Sequence, residues 1–342
     1  MKIAVIGAGA IGSVVAGYLH KAGVDVILIG RQDQVDAIKK GGLKIKGARG
    51  EETIRVPAAT KLGAAVDLSI FATKSQDLEE AYQHNAEYLE NTSVLSTQNG
   101  VQADNILSSH YDRDRMTSSI VMFGATYIKP GEITFNFDGK WIIGRPFVAN
   151  DPQTEDLAQI LDKGFSVVIS PDIMGMKWLK LFVNFNNCIP ALIGKSMQET
   201  FADIDLCRLS ILLLKEGLDI VQKSGVELVS LPDFPRERIF GLASMPLEQA
   251  AGIINKTLTS LSKEPLYGSI LQSIMRKKTS EIDYINGEVV YLAKHIRMTA
   301  PLNNRIVDLV HKVEQSGKFF NVNDIKEEFQ LEGATQRAAR TD

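Results

Sequence analysis

Lys2-Ile3-Ala4-Val5-Ile6-Gly7-Ala8-Gly9-Ala10-Ile11-Gly12 is a short apolar run followed at once by a glycine-rich turn, and residues 13–22 continue at helical spacing. The order is strand, turn, helix. The first glycine permits the tight turn, the second lets a pyrophosphate approach the backbone, and the third lets helix and strand pack closely. A helix N-terminus offers unpaired N–H groups and partial positive charge to phosphate. A second apolar run, Val24-Asp25-Val26-Ile27-Leu28-Ile29, completes a βαβ unit. At its end, where an acidic residue usually meets the ribose hydroxyls, stand Gly30 and Arg31. A cation there suits a 2′-phosphate, so Gly7, Ala8, Gly9, Ala10, Ile11, Gly12 and Arg31 are read as a site for NADPH/NADP. The competing reading is a structural turn followed by a solvated arginine.

The 342 residues, 44% of them hydrophobic, suffice for two domains with a core each. Net charge is −3 with no long basic run, which argues against nucleic acid as a partner. No apolar stretch approaches the roughly 18 residues of a membrane span, and the first run is strand-like, so neither a span nor a signal peptide is read. Cys188 and Cys207 form no CxxC pair and are read as buried or free thiols of a reducing, cytoplasmic setting. The histidines show no His-Glu-x-x-His arrangement, which points away from a metal site.

The βα alternation continues. Asp67-Leu68-Ser69-Ile70-Phe71-Ala72 is strand-like and ends in Thr73-Lys74; residues 77–89 are helical; Ser93-Val94-Leu95-Ser96-Thr97 is a strand ending in Gln98-Asn99-Gly100. Ligands of open parallel sheets bind past the carboxyl ends of strands. Lys74 and Asn99 therefore stand where cofactor or substrate is expected, the alternatives being a surface lysine and an Asn-Gly turn. Residues 118–123 read as a strand, and 131–144 as a hairpin turning at Asp138-Gly139. After a helix over 151–161 and a strand over 165–170, β-branched runs give way to helical patterns. The expected fold is α/β: a Rossmann-type doubly wound sheet over 1–171, an all-helical domain over 172–332, and a frayed tail over 333–342.

In Lys177-Trp178-Leu179-Lys180-Leu181-Phe182-Val183-Asn184-Phe185-Asn186-Asn187-Cys188, a helix would gather Trp178, Phe182, Phe185 and Ile189 on one face and Lys180, Asn184 and Asn187 on the other. That second face is either solvated or the polar wall of a cleft. Asparagine is a poor helix former, which suits the cleft. Further on, Glu281 heads a helix through Ile282, Ile285, Val289 and Leu292, where a first-turn carboxylate also serves the helix dipole.

The glycine fingerprint with Arg31, Lys74, Asn99-Gly100, the Trp178-x-Lys180-x-x-x-Asn184 helix, and Ser269 ahead of Thr279-Ser280-Glu281-Ile282-Asp283-Tyr284-Ile285-Asn286-Gly287 together resemble the ketopantoate reductase family, the 2-dehydropantoate 2-reductases of pantothenate biosynthesis. The resemblance runs from about residue 3 to 315. It implies an active site in the cleft between the two domains, with Lys180 as general acid and Glu281 as the carboxylate that positions it. Asn99, Asn184 and Ser269 would bind substrate, and Lys74 would lie near cofactor and substrate. Reduction of a 2-oxo acid does require a proton donor where negative charge develops on oxygen. A nearby carboxylate is expected to keep such a lysine protonated. The chain departs from the family at Cys188 and Leu266, where asparagine is usual, and at Ser273, where aspartate is common; Asn187 is the candidate to replace the lost asparagine. The substrate is thus expected to be a small 2-oxo acid, ketopantoate first. Rival readings are an opine-type or polyol-phosphate dehydrogenase and a non-catalytic NADPH-binding sensor. A homodimer is the default assembly.

Overall fold

The structure, a computed structural model, describes residues 1–331. The chain divides into two compact units, the first Met1–Lys177 and the second from Trp178 onward. The tail expected at 333–342 lies outside the described residues.

The first unit runs β1 (Lys2–Ile6), α1 (Ala10–Lys21), β2 (Asp25–Ile29), α2 (Gln32–Gly41), β3 (Leu43–Gly47), β4 (Gly50–Ile54), β5 (Ala58–Ala59), β6 (Leu68–Phe71), α3 (Leu78–Asn85), β7 (Ser93–Ser96), α4 (Gln102–Leu107), β8 (Met116–Val121), β9 (Gly124–Lys129), β10 (Glu132–Phe137), β11 (Lys140–Gly144), α5 (Pro152–Asp162) and β12 (Ser166–Ile169). Eight strands form one sheet in the order β12-β11-β8-β7-β6-β1-β2-β5. β1 pairs in parallel with β2 on one side and β6 on the other. The order of winding reverses there, which opens a crevice at the carboxyl end of β1. Ile3 and Val5 enter one apolar core while Ala4 and Ile6 enter the other. A strand buried on both faces has no polar side to show, hence its unbroken apolar reading.

The hairpin expected over 131–144 does not form. β10 belongs to a second sheet, order β4-β3-β10-β9, where it pairs with β3 and β9, while β11 pairs with β8 and β12 in the large sheet. Asp138-Gly139 is a crossing between sheets. Its carboxylate is gripped by Arg49, from the two-residue β3–β4 turn, through Nε at 2.7 Å and Nη2 at 3.0 Å. Asp-Gly encodes a local change of direction; which strands then pair is decided by distant partners.

The rest is helical: α6 (Ile173–Asn184), α7 (Cys188–Ile193), α8 (Met197–Phe201), α9 (Ile204–Lys223), α10 (Glu237–Ser244), α11 (Leu247–Thr259), α12 (Ser269–Met275), α13 (Asn286–His295), α14 (Pro301–Ser316) and α15 (Val322–Glu328). The long α9 buries Leu206, Leu209, Leu213 and Ile220 at helical spacing. Among the described residues no helix is long and apolar enough to cross a membrane.

Two expected helices are broken. α6 ends at Asn184, a 3-10 turn spans Phe185–Asn187, and α7 restarts at Cys188. Pro190 supplies the reason, because it has no N–H for the carbonyl of Asn186 and its ring excludes that carbonyl from helical register. Trp178, Phe182, Phe185 and Ile189 are all buried as expected. Asn187 lies in the 3-10 turn, beyond the end of the α-helix that carries Lys180 and Asn184. Likewise Glu281 precedes a 3-10 turn, Ile282–Tyr284, and α13 begins only after Ile285, whose φ and ψ are −119° and −88°. Glu281 therefore does not head the α-helix itself.

Candidate active site

In the first unit the glycine turn sits at the carboxyl end of β1. Gly7 has φ +115°, and a Cβ there would lie 2.5 Å from the backbone nitrogen of Thr73. A Cβ on Gly12 would lie 2.0 Å from the Gly7 carbonyl oxygen. Both are fixed by close approach within the protein. Gly9 is different: its φ is an ordinary −76°, it caps α1 without a side chain, and a Cβ on it would meet nothing within 4 Å. The space beside Gly9, ahead of α1, is thus open, and a dinucleotide pyrophosphate fits that arrangement.

Gly30 also has a local cause, since a Cβ there would lie 2.3 Å from the Cβ of Ala8. The acidic side chain usual at this point is sterically excluded. Arg31 is exposed, in extended conformation, at the start of α2. Gln34, one turn into α2, was not singled out in the sequence. It is buried, donates to Ser13 Oγ at 3.2 Å and accepts from Gly131 N at 2.7 Å and the Tyr127 hydroxyl at 3.1 Å. It holds α2, and Arg31 with it, against the glycine turn.

Lys74 is half-buried and follows β6; Asn99 is half-buried and follows β7. Between them Gln98, another residue the sequence reading passed over, is 5% exposed and donates through Nε2 to the carbonyls of Phe71 at 2.9 Å and Thr73 at 3.0 Å. This amide and Thr97, whose Oγ1 donates to the Phe71 carbonyl at 2.8 Å, tie the carboxyl ends of β6 and β7 together.

Behind the Asn99 turn lies a charged cluster. Asp104 on α4 accepts from Ser96 Oγ at 2.6 Å, Ser118 Oγ at 2.8 Å and Lys177 Nζ at 2.6 Å, and Lys177 also reaches Ser118 Oγ at 2.9 Å. The Lys177 and Asp104 side chains are 2% and 1% exposed.

In the second unit Lys180 and Asn184 project from α6 at i and i+4, both half-buried. Asn187 packs against the glycine that begins α12: a Cβ on Gly268 would lie 2.5 Å from Asn187 Oδ1. Ser269, exposed, is the next residue, so Asn187 and Ser269 are brought near one another. Glu281 is half-buried, and its carbonyl accepts from Tyr284 N at 3.0 Å. Among the described residues no hydrogen bond or ion pair joins Lys180 to Glu281.

Desolvation pushes the Lys180 ammonium below the ordinary lysine pKa. This corrects the expected direction: burial, rather than a neighbouring carboxylate, sets the proton affinity of this amine. A lysine so lowered gives up its proton more readily than an ordinary one. Cys188 is fully buried, donates Sγ to the Phe185 carbonyl at 3.0 Å, and has its thiol pushed up to about 12 by burial. Leu266 projects outward, 37% exposed, with its backbone N–H bonded to Gln198 Oε1 at 3.0 Å. Ser273 Oγ donates to the Ser269 carbonyl at 3.0 Å.

Two family models match the chain, "Ketopantoate reductase PanE/ApbA" over residues 3–146 and "Ketopantoate reductase PanE/ApbA C terminal" over residues 172–314. The 2-dehydropantoate 2-reductase of Pyrococcus horikoshii is 32% identical over 320 residues, covering 93% of this chain and 99% of its own. A PanE/ApbA family ketopantoate reductase structure from Ralstonia eutropha superposes with a TM-score of 0.78 at 25% identity, covering 92% and 99% of the two chains. The fold is also that of D-mandelate dehydrogenase bound to NADH and anilino(oxo)acetate, with a TM-score of 0.80 at 24% identity over 92% and 99%. The chain therefore belongs to the ketopantoate reductase family and is an oxidoreductase served by a nicotinamide dinucleotide.

Proposed function

We propose that the protein reduces a 2-oxo acid to the 2-hydroxy acid with NADPH, and that 2-dehydropantoate is its substrate. The observation that carries this reading is the desolvated Lys180 ammonium, one helical turn before Asn184 on a shared face. When bound, the dinucleotide supplies a hydride to the carbonyl carbon. Lys180 donates the proton to the carbonyl oxygen, where negative charge would otherwise build up. Glu281 orients that amine as substrate binds. Asn99, Asn184, Asn187 and Ser269 hold the substrate through neutral hydrogen bonds, which add no charge beside the acid. The glycine turn holds the pyrophosphate, Lys74 and Asn99 lie toward the nicotinamide end, and Arg31 receives the 2′-phosphate. A closed two-fold dimer in the cytoplasm belongs to the same reading.

The test is steady-state assay of the purified protein with NADPH and with NADH against a panel of 2-oxo acids. Turnover of 2-dehydropantoate above the other acids is expected. Lys180→Ala should lower kcat by roughly 10²–10⁴-fold while cofactor fluorescence titration stays unchanged. Parental turnover in that variant would remove the proton donor from the mechanism. Arg31→Ala should weaken NADPH by about tenfold or more and leave NADH alone, as loss of a charge-assisted hydrogen bond predicts. Equal effects on both cofactors would end the 2′-phosphate assignment.

A further inference from the structure

Lys177 and Asp104 form a buried ion pair at 2.6 Å, roofed by the hydroxyls of Ser96 and Ser118. Removing two charges from water costs more than the pair usually returns in stability, and apolar residues of similar volume would often serve as well. Its position suggests what it does instead. Ser96 ends β7 and Asp104 lies early in α4, so the cluster clamps both ends of the segment that contains Asn99. Ser118 belongs to β8, whose Oγ bonds to both Asp104 and Lys177. Lys177, at the end of the first unit, closes the cluster from α6.

We propose that Lys177 and Asp104 are positioning residues for the reduction: their ion pair, with the Ser96 and Ser118 hydroxyls, holds both ends of the turn that carries Asn99. A turn with glycine at φ +79° next to Asn99 would otherwise be free to adopt other conformations. With the pair in place, the position of the Asn99 amide is set by one cluster. The inference rests on the reductase reading for its catalytic consequence; the tethering of the turn does not.

The experiment compares the full-length parent with the double variant Lys177→Met/Asp104→Asn, which leaves no uncompensated charge behind. Kinetics with NADPH and 2-dehydropantoate, NADPH titration, and amide hydrogen exchange are measured on each. The expected result is a folded protein with NADPH affinity within twofold of the parent, kcat lowered at least tenfold, and exchange across residues 97–103 accelerated at least tenfold. Parental exchange across that segment, or parental kcat, overturns the proposal. Should the double variant not fold, Ser96→Ala keeps the ion pair and releases one end of the turn, with the same acceleration expected and the same overturning result. If the unmodified protein reduces no 2-oxo acid, the function assigned above falls, while exchange still decides whether the pair holds the turn.

Discussion

Lys177 and Lys180 are one turn apart on a single helix and have opposite surroundings. The first is sealed against a carboxylate and a serine hydroxyl; the second is desolvated, and among the described residues no carboxylate pairs with it. An ion pair makes a lysine a fixed structural cation, whereas desolvation makes its proton easier to give away. Charge partners, and not burial alone, separate a scaffold lysine from a reactive one.

The two lysines differ most in what their loss does to stability. Lys177→Met leaves Asp104 charged and unpaired inside the first unit, and should cost about 3–5 kcal/mol in urea unfolding. A loss as small as that of an exposed lysine would mean the pair is not buried in solution. The pH dependence of turnover sharpens the contrast next. The proton donor must be charged, so kcat/KM should fall as pH rises through the lowered pKa of Lys180, at a pH below the ordinary 10.5. An alkaline limb at the ordinary lysine value would contradict the desolvation.

The smallest effect is on the stability of Lys180→Met. Because the folded state binds that proton more weakly than the unfolded chain, the ion opposes folding at pH values below its lowered pKa. That opposition is relieved as pH climbs toward 10.5. The variant should accordingly match or exceed the parent at neutral pH, with the gap closing in alkaline buffer. A gap that widens instead would reverse the sign assigned to the shift.

Legibility in the sequence followed the range of the interactions. The glycine turn, β1, β2 and α1 were readable because their geometry is decided by neighbours within a few residues. The four-stranded sheet was not, since β3 alternates Leu43-Lys44-Ile45-Lys46 over only five residues and its parallel partner β10 is remote in sequence. At the site, Lys180 and Asn184 were readable as a helical pair. The break after Asn184 was not readable from the periodicity, although Pro190 was there to signal it. Gln34, Gln98 and the Lys177–Asp104 cluster went unread for a physical reason. A buried polar side chain is distinguished from a solvated one only by the partner that tertiary structure brings to it.

Both cysteines are enclosed, and burial holds each thiol at about 12. At neutral pH neither Cys188 nor Cys207 presents a thiolate to an alkylating reagent while the chain is folded. Labelling of either sulfur would then proceed only during excursions that open the helices around it, giving the molecule a built-in clock for such events with no engineered probe.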